Sequence, residues 1–192
     1  MMEEVIIADS VTAILRGQTL LYPTDTIWGI GCDAGNSLAI ERLYAIKGRD
    51  RSKSMLVLVA QNMLTSEGVR LLTECSTDGR PTTVVMPQQV WQQVLKVDIA
   101  PLMVADDGSL GVRLPHHHFC EAVISRANRA LVSTSANLSG QASPSCFADI
   151  DAHLRNAVDF CVPDLPSFVS SNNRGSRIVK LDLQGHVTVI RP

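Results

Sequence analysis

Three stretches of this 192-residue chain concentrate side chains able to do chemistry. The first is Lys47-Gly48-Arg49-Asp50-Arg51-Ser52-Lys53, with four cations in seven residues. Like charges this close repel by about 1 kcal/mol per pair in water, and more when desolvated, unless an anion offsets them. A polyphosphate would do so, and a solvated charged face is the plainer alternative. The second is Ser133-Thr134-Ser135-Ala136-Asn137-Leu138-Ser139-Gly140. It reads either as a turn rich in Ser/Thr and Asn motifs or as a cradle for phosphate, sugar or carboxylate. The third, Tyr22-Pro23-Thr24-Asp25-Thr26-Ile27-Trp28-Gly29-Ile30-Gly31, sets small hydroxyls beside two glycines, which suits close approach of backbone to a ligand.

Other chemistries find less support. Gly29-x-Gly31-x-x-Ala34 has the form of a dinucleotide fingerprint, but Asp33, Gly35 and Asn36 delay the helix that should open on the pyrophosphate. The sequence contains neither a Walker P-loop nor a G-x-S-x-G nucleophile elbow. His116, His117 and His118 are consecutive, so their rings cannot readily face one metal ion, and a polar loop is the better reading. No protein metal site is expected.

These stretches need elements to position them. Val11 to Leu15 is expected to form a short helix behind a Ser10 cap, and Ala39, Ile40, Leu43 and Ile46 mark a helix from Ser37 that stops at Lys47-Gly48. Val69 to Leu72 belongs to a further helix, His118 to Asn128 to another, and Phe147 to Arg155 to a last one. Strands are expected at Thr19–Tyr22, Ile27–Cys32, Met55–Ala60, Thr82–Met86, Leu110–Leu114, Ala130–Ser133 and Val158–Val162. Ile178–Leu181 and Val187–Ile190 form a hairpin around Gln184-Gly185. Helices and strands alternate, which predicts an α/β fold with a mixed sheet, in one domain over residues 1–192.

Composition bounds the function. Apolar residues make up 45% and charged residues 19%, which excludes disorder and coiled coil. With 17 Lys and Arg against 19 Asp and Glu, and 4% aromatics, the chain is unlike a basic or base-stacking nucleic-acid binder. Five scattered cysteines without a C-x-x-C pair point to reduced thiols. An acidic N-terminus and the lack of a membrane-length apolar run predict a soluble, cytoplasmic protein with no membrane partner.

Taken in order, Tyr-Pro-Thr-Asp-Thr…Gly-x-Gly at 22–31, Lys-x-Arg at 47–49, Val-Arg-Leu-Pro at 112–115 and Ser-x-Ser-Ala-Asn-x-Ser-Gly at 133–140 resemble the YrdC/TsaC family of threonylcarbamoyl-adenylate synthases. The resemblance runs from Thr19 to Arg191. It implies a twisted mixed sheet flanked by helices, with a concave, positively charged cavity. It implies condensation of L-threonine, bicarbonate and ATP, carrying Mg²⁺, into threonylcarbamoyl-AMP and pyrophosphate. It assigns the nucleotide to Lys47, Arg49, Lys53, Ser109, Ser135, Asn137, Ser143 and Arg191, with Lys47 and Arg49 catalytic and exposed in the cavity. It assigns threonine to Thr26, Arg113, Ser133 and Ser176. Downstream threonylcarbamoyl transferases, acting on tRNA, are the implied partners of this short, single-domain form.

The chain departs from the family pattern at Asp50, Arg80, His116 to His118, Leu58 and Arg177, which concerns the fine geometry of the substrates. Two alternatives keep the fold and change the activity. One is an RNA-binding module without catalysis, whose affinity would fall steeply with salt. The other is a related carbamoyl or adenylyl transfer to another substrate.

Overall fold

The computed structural model describes residues 2–51, 54–76, 79–169 and 174–192. Helix α1 spans Met2–Leu15 and is followed by β1 (Leu20–Tyr22) and β2 (Gly29–Gly31). Next come α2 (Ser37–Lys47), β3 (Leu56–Leu58), α3 (Ser66–Glu74), β4 (Thr82–Met86) and α4 (Gln88–Val94). The chain continues through β5 (Leu110–Arg113), α5 (His118–Ala127), β6 (Leu131–Ser135), α6 (Ala152–Ala157), β7 (Phe160–Cys161), β8 (Arg177–Leu181) and β9 (Val187–Arg191).

The nine strands form a mixed sheet in the order β7-β1-β2-β6-β3-β5-β4-β8-β9. Pairs β1/β7, β3/β5 and β4/β8 are parallel, and the other neighbours are antiparallel. The central strands bury both faces, as Val57, Leu58, Val84, Val112 and Val132 show, and this explains their uninterrupted apolar runs. Tyr22 and Phe119 stack at 6.5 Å, and Phe168 meets Phe119 edge-on at 5.1 Å, joining β1 to α5 and to the turn that begins at Pro166.

Several boundaries differ from the sequence reading. The first helix begins at Met2, so Ser10 is an interior residue; its buried hydroxyl donates to the Ile6 carbonyl at 2.7 Å and caps nothing. Strand β6 runs on to Ser135 because Gly29 and Ile30 of β2 still offer pairing partners there. The expected Phe147–Arg155 helix divides into a 3₁₀ turn at Phe147–Asp149 and α6, since the Asp151 carboxylate caps a new start by accepting from His153 N. Helix α4, whose Val90, Trp91 and Val94 face the core, has no counterpart in the sequence reading.

Candidate active site

The helix α2 stop is the first positioning device. Asn36 Oδ1 accepts from Ala39 N at the start of the helix, and Gly48 takes φ +54° at its end. That left-handed turn favours glycine and carries the chain back past the sheet. It delivers Arg49, whose Nη2 donates to the Ser54 carbonyl at 2.7 Å, to the wall of a cavity of about 520 Å³.

The cavity opens across the sheet and draws on distant parts of the chain. Strand β6 supplies Ser133 and Ser135, β5 ends with Arg113, and Thr26 comes from the β1–β2 loop. Ser109, Ser143, Ser176 and Arg191, also expected, stand on the same wall. Ser176 is buried; Thr83 Oγ1 lies 2.9 Å from its hydroxyl, and Arg191 donates to its carbonyl through Nε at 3.0 Å and Nη2 at 2.6 Å. Burial, with Arg113 and Arg174 nearby, lowers the pKa of Arg191 from its usual value. Trp28, Met55, Leu56, Val85 and Ile178 give the cavity an apolar side.

Lys47 does not stand in this cavity. It is 1% exposed, and its ammonium donates to the carbonyls of Ser135 at 2.5 Å and Asn137 at 2.8 Å. The loop reciprocates, with Ser139 N donating to the Lys47 carbonyl at 3.1 Å. Lys47 therefore clips the end of α2 to the 135–139 loop, and the expectation that it is exposed is corrected. Burial, with Arg49 adding to the effect, lowers its pKa from 10.5 to about 8. Asn137 also faces the loop, with Nδ2 donating to the Leu138 and Gln141 carbonyls and Oδ1 buried without a hydrogen bond. Lys53 lies outside the described residues.

Two groups were missed in the sequence reading. Asp25 is buried behind Arg113, its Oδ1 3.2 Å from Arg113 Nη2, while its Oδ2 accepts from His116 N at 3.1 Å. An acid within a Pro-Thr-Asp-Thr turn, with Arg113 closing an apolar strand, was the available signal. Arg174 also lines the cavity and donates to the Pro192 carbonyl at 3.3 Å.

The histidine run divides by environment. His116 is exposed, His117 is buried with Nε2 3.3 Å from the Phe168 carbonyl, and His118 lies 3.4 Å from Glu3. Burial lowers the pKa of His117. Among the described residues, no three His, Cys, Asp or Glu side chains group as a metal site. Asp50, Leu58 and Arg177 all lie off the cavity wall: Leu58 is core, Arg177 donates to the Cys75 carbonyl, and Asp50 is exposed. Gly29-x-Gly31 is a strand, which disposes of the dinucleotide fingerprint.

A mixed sheet that gathers guanidinium groups and hydroxyls over a half-apolar cavity marks the class, an α/β protein with one cavity fed from many strands. The chain belongs to the Sua5/YciO/YrdC family, whose model, described as telomere recombination, matches residues 12–192. It is 33% identical over 152 residues to a threonylcarbamoyl-AMP synthase of Chromohalobacter salexigens, covering 79% of this chain and 82% of that protein. The corresponding protein of Nitrosococcus oceani is 28% identical over 171 residues, covering 86% and 92%. The fold matches P. abyssi Sua5 complexed with L-threonine at a TM-score of 0.75 and 21% identity, over 99% of this chain and 54% of that one. It matches E. coli YciO at 0.70 and 18% identity, over 98% and 89%. This chain thus spans about half the length of that Sua5. No helix among the described residues is long and apolar enough to cross a membrane.

Proposed function

We infer that this protein is a threonylcarbamoyl-AMP synthase, a nucleotidyltransferase that condenses L-threonine, bicarbonate and ATP. The observation that carries the reading is one cavity into which nine expected ligand residues converge from Thr26 to Arg191: Thr26, Arg49, Ser109, Arg113, Ser133, Ser135, Ser143, Ser176 and Arg191. Synthases of this name from two bacteria support the same activity.

Arg113, with Thr26, Ser133 and Ser176, would take the threonine carboxylate and hydroxyl. Arg49, Arg191, Ser109, Ser135 and Ser143 would hold the triphosphate, and the apolar side would suit the base. Threonine's amine attacks carbon dioxide or bicarbonate to form a carbamate, with water lost in the second case. A carbamate oxygen then attacks the α-phosphorus of ATP, and the bond to the bridging oxygen breaks to release pyrophosphate. The protein's part is to hold two mutually repelling anions together and neutralise the charge that develops on the leaving group. Among the described residues no cysteine lines the cavity, and burial raises the pKa of Cys32, Cys75 and Cys120, so a thiol nucleophile has no place in this scheme. Mg²⁺ would arrive on the phosphates, since no Asp or Glu lines the wall among the described residues.

The product is a labile mixed anhydride. It would pass to threonylcarbamoyl transferases that modify tRNA in the cytoplasm, making this the first step of threonylcarbamoyladenosine formation. The test is pyrophosphate release from ATP and Mg²⁺ with threonine and bicarbonate each omitted in turn. Release that needs both supports the reading. Release indifferent to threonine, or none from protein that binds tRNA in a salt-dependent manner, would overturn it.

A further inference from the structure

Strand β4 reads Thr82-Thr83-Val84-Val85-Met86, and Thr83 is 2% exposed within it. Valine has the same branched shape, and burying a hydroxyl costs free energy unless it is hydrogen-bonded, so the oxygen of Thr83 needs a reason. Strand β4 lies between β5 and β8, and the two branches of Thr83 divide between these neighbours. The methyl is turned to β5, where a Cβ on Gly111 would meet it at 3.5 Å. The hydroxyl is turned to the start of β8, with Oγ1 2.9 Å from Ser176 Oγ. β-Branching restricts rotation about Cα–Cβ, so the packed methyl keeps the hydroxyl in place.

The main chain around Ser176 is fixed as well. Arg177 N donates to the Pro81 carbonyl at 2.9 Å, and Arg191 donates to the Ser176 carbonyl through Nε and Nη2. Arg191 Nη2 also lies 3.4 Å from Ser176 Oγ, and an arginine can only donate.

Counting protons gives this pair a direction. Each hydroxyl carries one proton, and one of the two makes the bond between them. When Ser176 gives its proton to an oxygen in the cavity, the bond between the hydroxyls must use the proton of Thr83. Ser176 then accepts from Thr83 and Arg191 and can only donate to a ligand. A donor-only group suits a carboxylate, which only accepts, and each donor in such a chain polarises the next.

We propose that Thr83 is a positioning residue: by donating to Ser176 Oγ it turns the Ser176 proton into the cavity, toward the carboxylate of the bound amino acid. Thr83 borders the cavity too, but in this arrangement it has no proton left for the ligand and acts through Ser176. The assignment rests on the threonine site proposed above and adds the residue that aims one of its donors.

The experiment is calorimetry of L-threonine and of Mg-ATP, with a melting scan, on the full chain as wild type, Thr83→Val, Thr83→Ser, Ser176→Ala and the double variant Thr83→Val/Ser176→Ala. Thr83→Val keeps the branched shape and loses the hydroxyl, while Thr83→Ser keeps the hydroxyl. Threonine is expected to bind Thr83→Val about tenfold more weakly than wild type, the scale of one lost hydrogen bond. Mg-ATP should bind it within twofold of wild type, and Thr83→Ser should hold threonine within threefold of wild type. On the Ser176→Ala background, Thr83→Val should cost less than a further twofold.

A Thr83 that touches threonine itself would give losses that multiply in the double variant, which overturns the proposal. A merely structural Thr83 would weaken threonine and Mg-ATP alike, or lower the melting temperature with the threonine Kd unchanged, and either pattern overturns it. If Thr83→Val does not fold, Thr83→Ala removes the same oxygen and is compared with Thr83→Ser in its place. Wild type that binds no threonine removes the threonine site and this proposal with it, whereas threonine binding that ignores Thr83 removes the proposal alone.

Discussion

Residue chemistry alone misjudged the exposure of Lys47 and overlooked Asp25 behind Arg113. Lys47 reads as a phosphate ligand because it stands in a run of cations, yet its ammonium ends on two backbone carbonyls. No pattern of residue types announces a lysine that bonds to main chain from 88 residues away. Burial gives this arrangement a pH signature. With its pKa lowered from 10.5 to about 8, folded Lys47 binds fewer protons than unfolded Lys47 between those values. Stability from this group therefore rises with pH through that window, and its burial cost is fully present below pH 8. Urea melts of wild type and Lys47→Met at pH 7.5 and 10 check the sign. The stability difference, wild type minus variant, should grow by about 1–3 kcal/mol at the higher pH. A flat difference would mean that Lys47 keeps its ordinary pKa.

At the level of elements, most strands were legible because a buried strand must be apolar throughout, and Thr82–Met86 was read to the residue. Boundaries set by distant partners were not. Strand β6 reaches Ser135 only because β2 lies beside it, and α6 starts where Asp151 supplies a cap. The two glycines of Gly29-Ile30-Gly31 were noticed for close approach to a ligand, but the approach at Gly31 is to protein. A Cβ there would lie 1.7 Å from the Val132 carbonyl oxygen, an impossible contact with main chain. Gly31→Ala must push β2 away from β6, the two strands that carry Gly29 and Ser135 to the cavity. We expect a loss of about 3 kcal/mol or more in a denaturant melt. Gly111→Ala is the control, since its Cβ would meet nothing nearer than 3.5 Å, and it should change stability by less than about 1 kcal/mol. Equal effects at the two positions would contradict this account of strand packing.

The whole molecule is what turns scattered side chains into a site. The cavity wall is drawn from residues 26–29, 49, 54–56, 83, 85, 109, 111, 113, 133–135, 143, 174–176, 178, 191 and 192. A ligand that spans this wall ties together strands from β2 to β9, so it binds the folded protein and not the unfolded chain. At 100 times its Kd, such a ligand stabilises by about 2.7 kcal/mol, or roughly 5–10 °C in melting temperature for a chain of this size. Mg-ATP and L-threonine, each at that excess, should give separate increments in a calorimetric scan, and Arg113→Gln should abolish the threonine increment while leaving most of the ATP increment. Loss of both would make Arg113 a common support of the cavity. Survival of the threonine increment would move the amino acid away from Arg113 and the Asp25 carboxylate behind it.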